Sequence, residues 1–247
     1  MRRFLVPANL ISGESVIIEG DLYRHMAKVL RLQPGNRVAL CDGQGMEFTA
    51  TILQIDNRSL SLQITAQHST AHRASELPFF TLIQGLPKGD KFELIIQKAT
   101  ELGVHNVIAF PAARSVVKIP QNQIDTRICR WGKIAAEAAR QSERTTVPTI
   151  TLVEDLGAAL RNATQPVKLF LYEREQKNHL HETLEGIDPP TSVAILVGPE
   201  GGFSEAEISL ARTTGFFPVS LGPRILRTET ASLAMLSILQ FLWGDLR

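Results

Sequence analysis

The chain has 247 residues, a formal net charge of +1, 44% hydrophobic residues and two cysteines. That is enough length for one large domain or two small ones with real cores. It excludes a disulfide framework, a zinc-cysteine pattern and, because no apolar run nears the roughly 20 residues a bilayer span needs, a membrane-crossing helix.

The N-terminal stretch Met1-Arg2-Arg3-Phe4-Leu5-Val6-Pro7 is basic, but its apolar part is too short for a signal peptide. With Cys41 and Cys129 far apart, the expected compartment is a reducing cytoplasm. The first seventy residues read mostly as β. Ser15–Glu19, Arg37–Cys41, Glu47–Ile55 and Ser59–Thr65 are short runs rich in Val, Ile, Leu and Thr. Turn signals at Pro34-Gly35-Asn36, Asp42-Gly43-Gln44-Gly45 and Asp56-Asn57-Arg58-Ser59 separate them. One short helix is expected over Asp21–Leu30. Closely spaced strands with a single helix suggest a small barrel. The polar, aperiodic stretch from His68 to Leu77 reads as a linker. The expected division is residues 1–70, a connection at 71–77, and a second domain over 78–247.

After Pro78 the apolar runs become continuous: Phe79–Ile83, Val107–Phe110, Val167–Tyr172 and Val193–Val197. Strands buried on both faces read this way. Helical patterns lie between them. Asp90-Lys91-Phe92-Glu93 can cap a helix with Phe92, Ile95, Ile96, Ala99 and Leu102 on one stripe and Gly103 as its stop. Ile124, Ile128, Trp131, Ala135, Ala138 and Ala139 line a second helix. Ser204-Glu205-Ala206-Glu207 is a capping box for a third, ending near Gly215. A last helix starts near Thr228, with Ala231, Ala234, Met235, Ile238, Leu239 and Leu242 expected inside. Alternating strands and helices predict an α/β domain around a mostly parallel sheet, with ligands at the C-terminal strand ends.

Two turns stand out. Leu196-Val197-Gly198-Pro199-Glu200-Gly201-Gly202-Phe203-Ser204 leaves a buried strand and enters the Ser204-capped helix. Its glycines permit positive φ and close approach of a ligand, and Glu200 is a lone carboxylate within it. A phosphate loop is excluded, since neither the Lys-Ser/Thr ending nor the G-x-G-x-x-G spacing is present. The second turn, Leu221-Gly222-Pro223-Arg224-Ile225-Leu226-Arg227-Thr228-Glu229-Thr230-Ala231, follows the strand Phe217–Leu221 and feeds the last helix. Ile225 and Leu226 are apolar where exposure is expected, which suits packing on a flat ligand such as adenine. Thr228 is placed to cap the helix. Net charge does not announce a nucleic-acid partner. Between Ala112 and Val147, however, Arg114, Lys118, Arg127, Arg130, Lys133, Arg140 and Arg144 outnumber Asp125, Glu137 and Glu143. Local excess of this kind can bind phosphate, though a solvated helix face has the same composition.

These two turns together resemble the signature of the SPOUT methyltransferases. More narrowly, the chain resembles the RsmE family of 16S rRNA (uracil-N3)-methyltransferases. Further matches are Lys88-Gly89-Asp90-Lys91, the block from Gln97 to Val104, Arg114-Ser115-Val116-Val117-Lys118, the run Glu137–Ser142, and His25–Leu32 with Gly35. The resemblance covers almost the whole chain. It implies a deep trefoil knot in the C-terminal domain, an exception to the rule that chains do not knot. It also implies a PUA-like RNA-binding barrel before it, and a homodimer with sites near the subunit interface. S-adenosylmethionine would be bound bent in the knot by Leu196, Gly198, Pro199, Glu200, Gly201, Gly202, Leu221, Gly222, Ile225, Leu226, Arg227, Thr230 and Ala231.

The implied chemistry moves a methyl group from a sulfonium to uracil N3 of the small-subunit 16S rRNA. That nitrogen must first lose a proton, so the site needs a proton acceptor and a donor for the flanking carbonyl oxygen. Arg227 is expected to steady the oxygen, and Glu200 or Glu229 to assist proton removal; Glu200 has the alternative of orienting its turn by accepting backbone amides. No metal is required: His179 and His181, two apart in a polar stretch, read as surface. Arg2, Arg3, Arg24, His25, Lys28, Arg31, Arg114, Lys118 and Arg140 are expected to contact RNA, with His25 also readable as a partly buried helix residue. Other readings are a knotted enzyme acting on tRNA or a ribose hydroxyl, and a catalytically silent RNA-binding assembly factor.

Overall fold

The computed structural model describes residues 1–247 apart from 12, 70–76, 118, 162, 173–174, 176–177 and 247. The expected linker therefore lies almost wholly outside the described residues, as does Lys118. The chain divides into two compact units, Met1–Ser75 with Ala139–Val147, and Glu76–Ala138 with Pro148–Arg247.

The first unit carries five strands: β1 (Arg2–Leu5), β2 (Ser15–Glu19), β3 (Arg37–Cys41), β4 (Met46–Ile55) and β5 (Ser59–Ser69). They form one sheet in the order β1-β3-β4-β5-β2, antiparallel except for the β1–β3 pair. Among the described residues β1 and β2 do not pair, so the expected barrel is a curled sheet with two edges. Curling is required by the core. Phe4 and Val6 from one end and Val16 and Ile18 from the other join Leu40, Ile52, Leu60 and Leu62 in a single buried cluster. Strand β2 alternates exposed and buried residues along its length, as a half-buried strand should. Burial pushes the Cys41 thiol up to about 11, helped by the nearby Glu47 carboxylate. Cys41 thus packs as a neutral apolar group rather than a nucleophile.

The helix expected over Asp21–Leu30 exists in two parts. A single α turn, α1 (Gly20–Tyr23), runs into a π-helical segment at Arg24–Val29. Such wide turns are uncommon and often sit at functional sites. Here it buries Tyr23 and Met26 on the core side while Arg24 and Lys28 stay exposed.

The second unit is built on β6 (Phe79–Gly85), β7 (Asn106–Phe110), β8 (Thr149–Leu152), β9 (Val167–Leu171), β10 (Ser192–Val197) and β11 (Phe217–Val219). All pair in parallel, in the order β11-β9-β10-β6-β7-β8. Its helices are α2 (Lys91–Glu101), α3 (Ile124–Gln141), α4 (Leu156–Arg161), α5 (Leu180–Leu184), α6 (Glu205–Thr213) and α7 (Thr228–Trp243). The last residues of α3 belong to the first unit. Strand β10 is laid between β9 and β6 after both have formed part of the chain, and α7 then returns to pack on β10 and α2. No helix among the described residues is long and apolar enough to cross a membrane.

Three local expectations need correction. Asp90 sits at the start of α2 but its side chain makes no capping bond, whereas the Ser204 capping box on α6 is complete in both directions. Thr228 is the first helical residue rather than the cap. Arg227 holds the cap position without a side-chain bond, and the Thr228 hydroxyl is committed elsewhere. The buried face of α7 is Ser232, Met235, Leu236, Leu239, Gln240 and Trp243, leaving Ile238, Phe241 and Leu242 exposed. Two polar residues disguise that face: Ser232 donates to Gln84 and Gln240 to the Leu102 carbonyl, so both are satisfied where sequence patterning expects apolar groups.

Candidate active site

A cavity of about 490 Å³ opens at the C-terminal ends of β9, β10 and β11. Such strand ends, where the strand order reverses relative to the chain, are the usual ligand position in parallel sheets. Its volume lies within the range of small-molecule pockets. The walls are the two Gly-Pro turns, with Leu171, Tyr172, Val197 and Val219 as a mostly apolar floor.

The first turn is held from several sides. The Thr228 hydroxyl donates to the Gly198 carbonyl at 2.6 Å and accepts from the Gln84 amide at 3.0 Å. Gln84 also donates to the Gly85 carbonyl at 2.9 Å, while its own oxygen accepts from Ser232. Gln84 and Ser232 are completely buried and Thr228 nearly so, which makes this network an internal strut with every member bonded. Gly202 adopts φ of +65°, a conformation most side chains resist. At Gly201 any Cβ would come within 2.9 Å of the Arg114 Cβ, so the loop after β7 presses directly on the turn. Arg114 also donates to the Gly201 carbonyl at 3.3 Å.

Glu200 lines the cavity and is engaged. Both its carboxylate oxygens accept from the Lys88 backbone amide, at 3.2 and 3.3 Å, and Oε1 accepts from the Lys91 ammonium at 2.7 Å. Partial burial pushes its pKa up, but Lys91 and the backbone amides of Glu200 and Lys88 outweigh this and hold it below the ordinary carboxylate value. A carboxylate so stabilised is a weak proton acceptor. Glu229 is 14% exposed and faces the same ammonium at 3.7 Å, and its buried Oε2 has no hydrogen-bond partner.

The second turn is looser. Ser220 and Gly222 exchange hydrogen bonds at 3.1 Å, and Asn178 and Leu180 pair with Ser220 through the backbone. Beyond them Pro223, Arg224, Ile225 and Arg227 are exposed, with Ile225 at 83%.

Of the expected donor-binding residues, Gly198, Pro199, Glu200, Gly202, Leu221, Gly222, Ile225, Leu226, Arg227 and Ala231 line this cavity. Leu196, Gly201 and Thr230 do not. Leu196 is fully buried in β10, Gly201 faces Arg114, and Thr230 points to solvent from α7. Arg227 and Glu200 are on the wall, whereas Glu229 stands one step behind it. Sequence reasoning missed Leu171, Tyr172, Val197, Phe203, Val219 and Ser220 as lining residues, and within the second turn it did not single out Pro223, Arg224 and Thr228. The rule that ligands sit past strand ends could have found Tyr172, which follows a run already read as a strand.

Most of the cations expected to meet RNA lie in the first unit. Arg2, Arg24, Lys28 and Arg31 are exposed, with the Lys28 ammonium 5.9 Å over the Tyr23 ring. His25 is half-buried, edge-on to Phe4 at 6.3 Å, which joins its helix to β1. Arg3 is paired with Glu47 at 2.9 Å and approaches Glu143 at 3.6 Å, and Arg140 is half-buried. Arg114 alone borders the cavity turn. His179 and His181 stack at 6.2 Å, and among the described residues no cluster of metal-ligating side chains is found.

Residues 75–240 match the RNA methyltransferase domain family, and residues 18–65 match the RNA methyltransferase PUA domain family. The chain is 36% identical over 230 residues to the ribosomal RNA small subunit methyltransferase E of Bacillus subtilis, covering 91% of this chain and 89% of that protein. It is 34% identical to the protein of the same name from Synechocystis, covering 96% and 76%. The crystal structure of a ribosomal RNA small subunit methyltransferase E from Neisseria gonorrhoeae bound to S-adenosyl methionine superposes with a TM-score of 0.82 at 34% identity, covering 100% of both chains.

Proposed function

The chain belongs to the ribosomal RNA small subunit methyltransferase E family, and from that premise we propose that it transfers a methyl group from S-adenosylmethionine to N3 of a uridine in 16S rRNA of the small ribosomal subunit. The observation that carries the reading is the cavity of about 490 Å³ between the two Gly-Pro turns. It has an apolar floor for a nucleoside base and backbone groups on two sides. When bound, S-adenosylmethionine supplies an electrophilic methyl on a sulfonium.

The protein's own groups then have three tasks. Leu226, Ile225 and the backbone of both turns would hold the donor beside the bound nucleotide, where proximity to the target nitrogen aids transfer. Arg227, on the cavity wall, donates to the uracil oxygen on which charge develops as N3 loses its proton. Glu229, behind the wall, is the less committed acceptor for that proton: its Oε2 makes no hydrogen bond and faces the Lys91 ammonium at 3.7 Å. Glu200, already satisfied by Lys88 and Lys91, orients the first turn instead.

The division of labour follows the same reading: residues 1–70 bind RNA, 71–77 connect, and 78–247 carry the chemistry. Arg2, Arg24, Lys28, Arg31 and Arg114 contact phosphates, with Arg3, His25, Lys118 and Arg140 extending the surface. The uridine is unstacked to reach the donor. The exposed apolar face Ile238, Phe241 and Leu242 of α7 supports a homodimer. An enzyme of ribosomal RNA works in the cytoplasm.

Calorimetry with S-adenosylmethionine, followed by nucleoside mass spectrometry of 16S rRNA incubated with enzyme and donor, tests the reading. Saturable binding and a single N3-methyluridine are expected. A protein that binds the RNA but not the donor is instead an assembly factor.

A further inference from the structure

The connection from β6 to α2 touches the first turn along its whole length. Gln84 donates to Thr228 and, at 3.4 Å, to the Gly198 carbonyl. A Cβ at Gly85 would come within 2.6 Å of the Pro199 ring. The Lys88 amide bonds both oxygens of Glu200. The connection ends at Lys91, the first residue of α2, whose ammonium contacts Glu200 from the first turn at 2.7 Å and faces Glu229 from the second at 3.7 Å.

That placement runs against local preference. A cation in the first turn of a helix opposes the helix dipole, where Asp or Glu is favoured. Solvent alone would suit this ammonium better. What compensates is a pair of carboxylates, Glu200 on the cavity wall and Glu229 behind it in the first turn of α7. Each carboxylate in turn needs the cation. Glu200 and Glu229 share one ammonium, and without it two like charges would face each other across the seam between the turns.

We propose that Lys91 is a positioning residue for methyl transfer, tying the two turns of the donor cavity together by bridging Glu200 and Glu229. It does not line the cavity itself. Its effect is to fix the spacing between the Gly198 wall and the Arg227 wall, so that the donor meets a preformed site. Mobile walls would weaken donor binding by the fraction of time spent apart. The inference rests on the methyltransferase reading and adds the device that holds its cavity closed.

The test measures S-adenosylmethionine affinity by calorimetry, and kcat and KM for methyl transfer, in wild type, Lys91→Met, Lys91→Arg, Glu200→Gln and the Lys91→Met/Glu200→Gln double variant. Lys91→Met is expected to weaken donor affinity and raise donor KM by about 5- to 10-fold, the range of coupled contacts. The value of kcat at saturating donor should fall less than the donor affinity does, and the melting temperature should drop no further than in Glu200→Gln, which breaks the same partly exposed ion pair. Lys91→Arg should restore most of the affinity. Adding Lys91→Met to Glu200→Gln should cost much less than Lys91→Met costs in wild type, because the bridge is already broken. Unchanged donor affinity in Lys91→Met, or full additivity in the double variant, would overturn the proposal. A wild-type protein that fails to bind the donor at all would instead remove the methyltransferase reading on which it stands.

Discussion

The two turns that wall the cavity have similar composition and opposite mechanics. The first, around Gly198–Phe203, has its carbonyl, its carboxylate and its glycine backbone all engaged by β6, α2, α7 and the loop after β7. The second, from Leu221 to Arg227, is bonded at its start through Ser220 and Gly222 and at its end through the Arg227 carbonyl, which accepts from the Ala231 amide, while the side chains of Arg224, Ile225 and Arg227 lie exposed. One turn is a preformed wall and the other an open lip. A methyltransferase has use for both. On the proposed reading, the first turn receives the donor and the second presents Arg227 to the nucleotide.

The contrast can be broken most sharply at Arg227. Replacing it with Gln should lower turnover by about 100-fold, the effect of losing one donor to a developing oxyanion, with donor affinity little changed. Single-turnover methyl transfer at saturating donor measures this, and equal losses in binding and turnover would make Arg227 part of the wall.

Next in size is the strut. Gln84→Leu removes the buried amide that donates to the Gly85 carbonyl and the Thr228 hydroxyl, while the Thr228 and Ser232 hydroxyls keep one acceptor each, so it should destabilise the protein by about 2 kcal/mol. Chemical denaturation reads that value. A loss below about 0.5 kcal/mol would show that the first turn is held without the strut.

Glu200 sharpens the comparison through pH. Its folded pKa lies below the ordinary 4.5, so the stability it contributes is fully present above that value and fades as pH falls through the lower folded pKa. Thermal melts of wild type and Glu200→Gln should therefore differ near neutrality and converge as pH falls below 4.5 and through the lower folded pKa. A constant gap across that window would mean the carboxylate charge is not what anchors the turn.

The smallest effect belongs to the lip. Ile225→Ser should change folding stability by less than about 0.5 kcal/mol, since the side chain is 83% exposed. It should nonetheless weaken donor or RNA binding in equilibrium titrations. Wild-type affinity for both would remove Ile225 from the site.

Much of this architecture was legible before any coordinates. The central strands β6, β9 and β10 are buried on both faces and so appear as unbroken apolar runs, and the Ser204 box and Gly103 stop mark helix ends by their own chemistry. The misses are elements whose residues carry little local signal. Strand β1 is four residues, two of them arginine, and forms only by pairing with β3. Strand β8 is a short edge with half its residues outward, and α4 and α5 are one or two turns long. At the site, both turns announce themselves through glycine and proline. Gln84 and Lys91 do not, because their partners Thr228, Glu200 and Glu229 lie far along the chain and only the sheet order brings them together.

The stretch Ala139–Val147 belongs with the N-terminal sheet, where Thr146 bridges Gly43 and Gln44 and the Val147 amide donates to the Gly43 carbonyl. During synthesis the sheet's own five strands leave the ribosome early, yet this last rung arrives only after the leading strands of the catalytic half have been made. A nascent N-terminal module therefore waits, its β3–β4 corner unmatched, while later sequence is translated. A chain cut before Ala139 is expected to yield an N-terminal unit with a frayed corner rather than a finished domain.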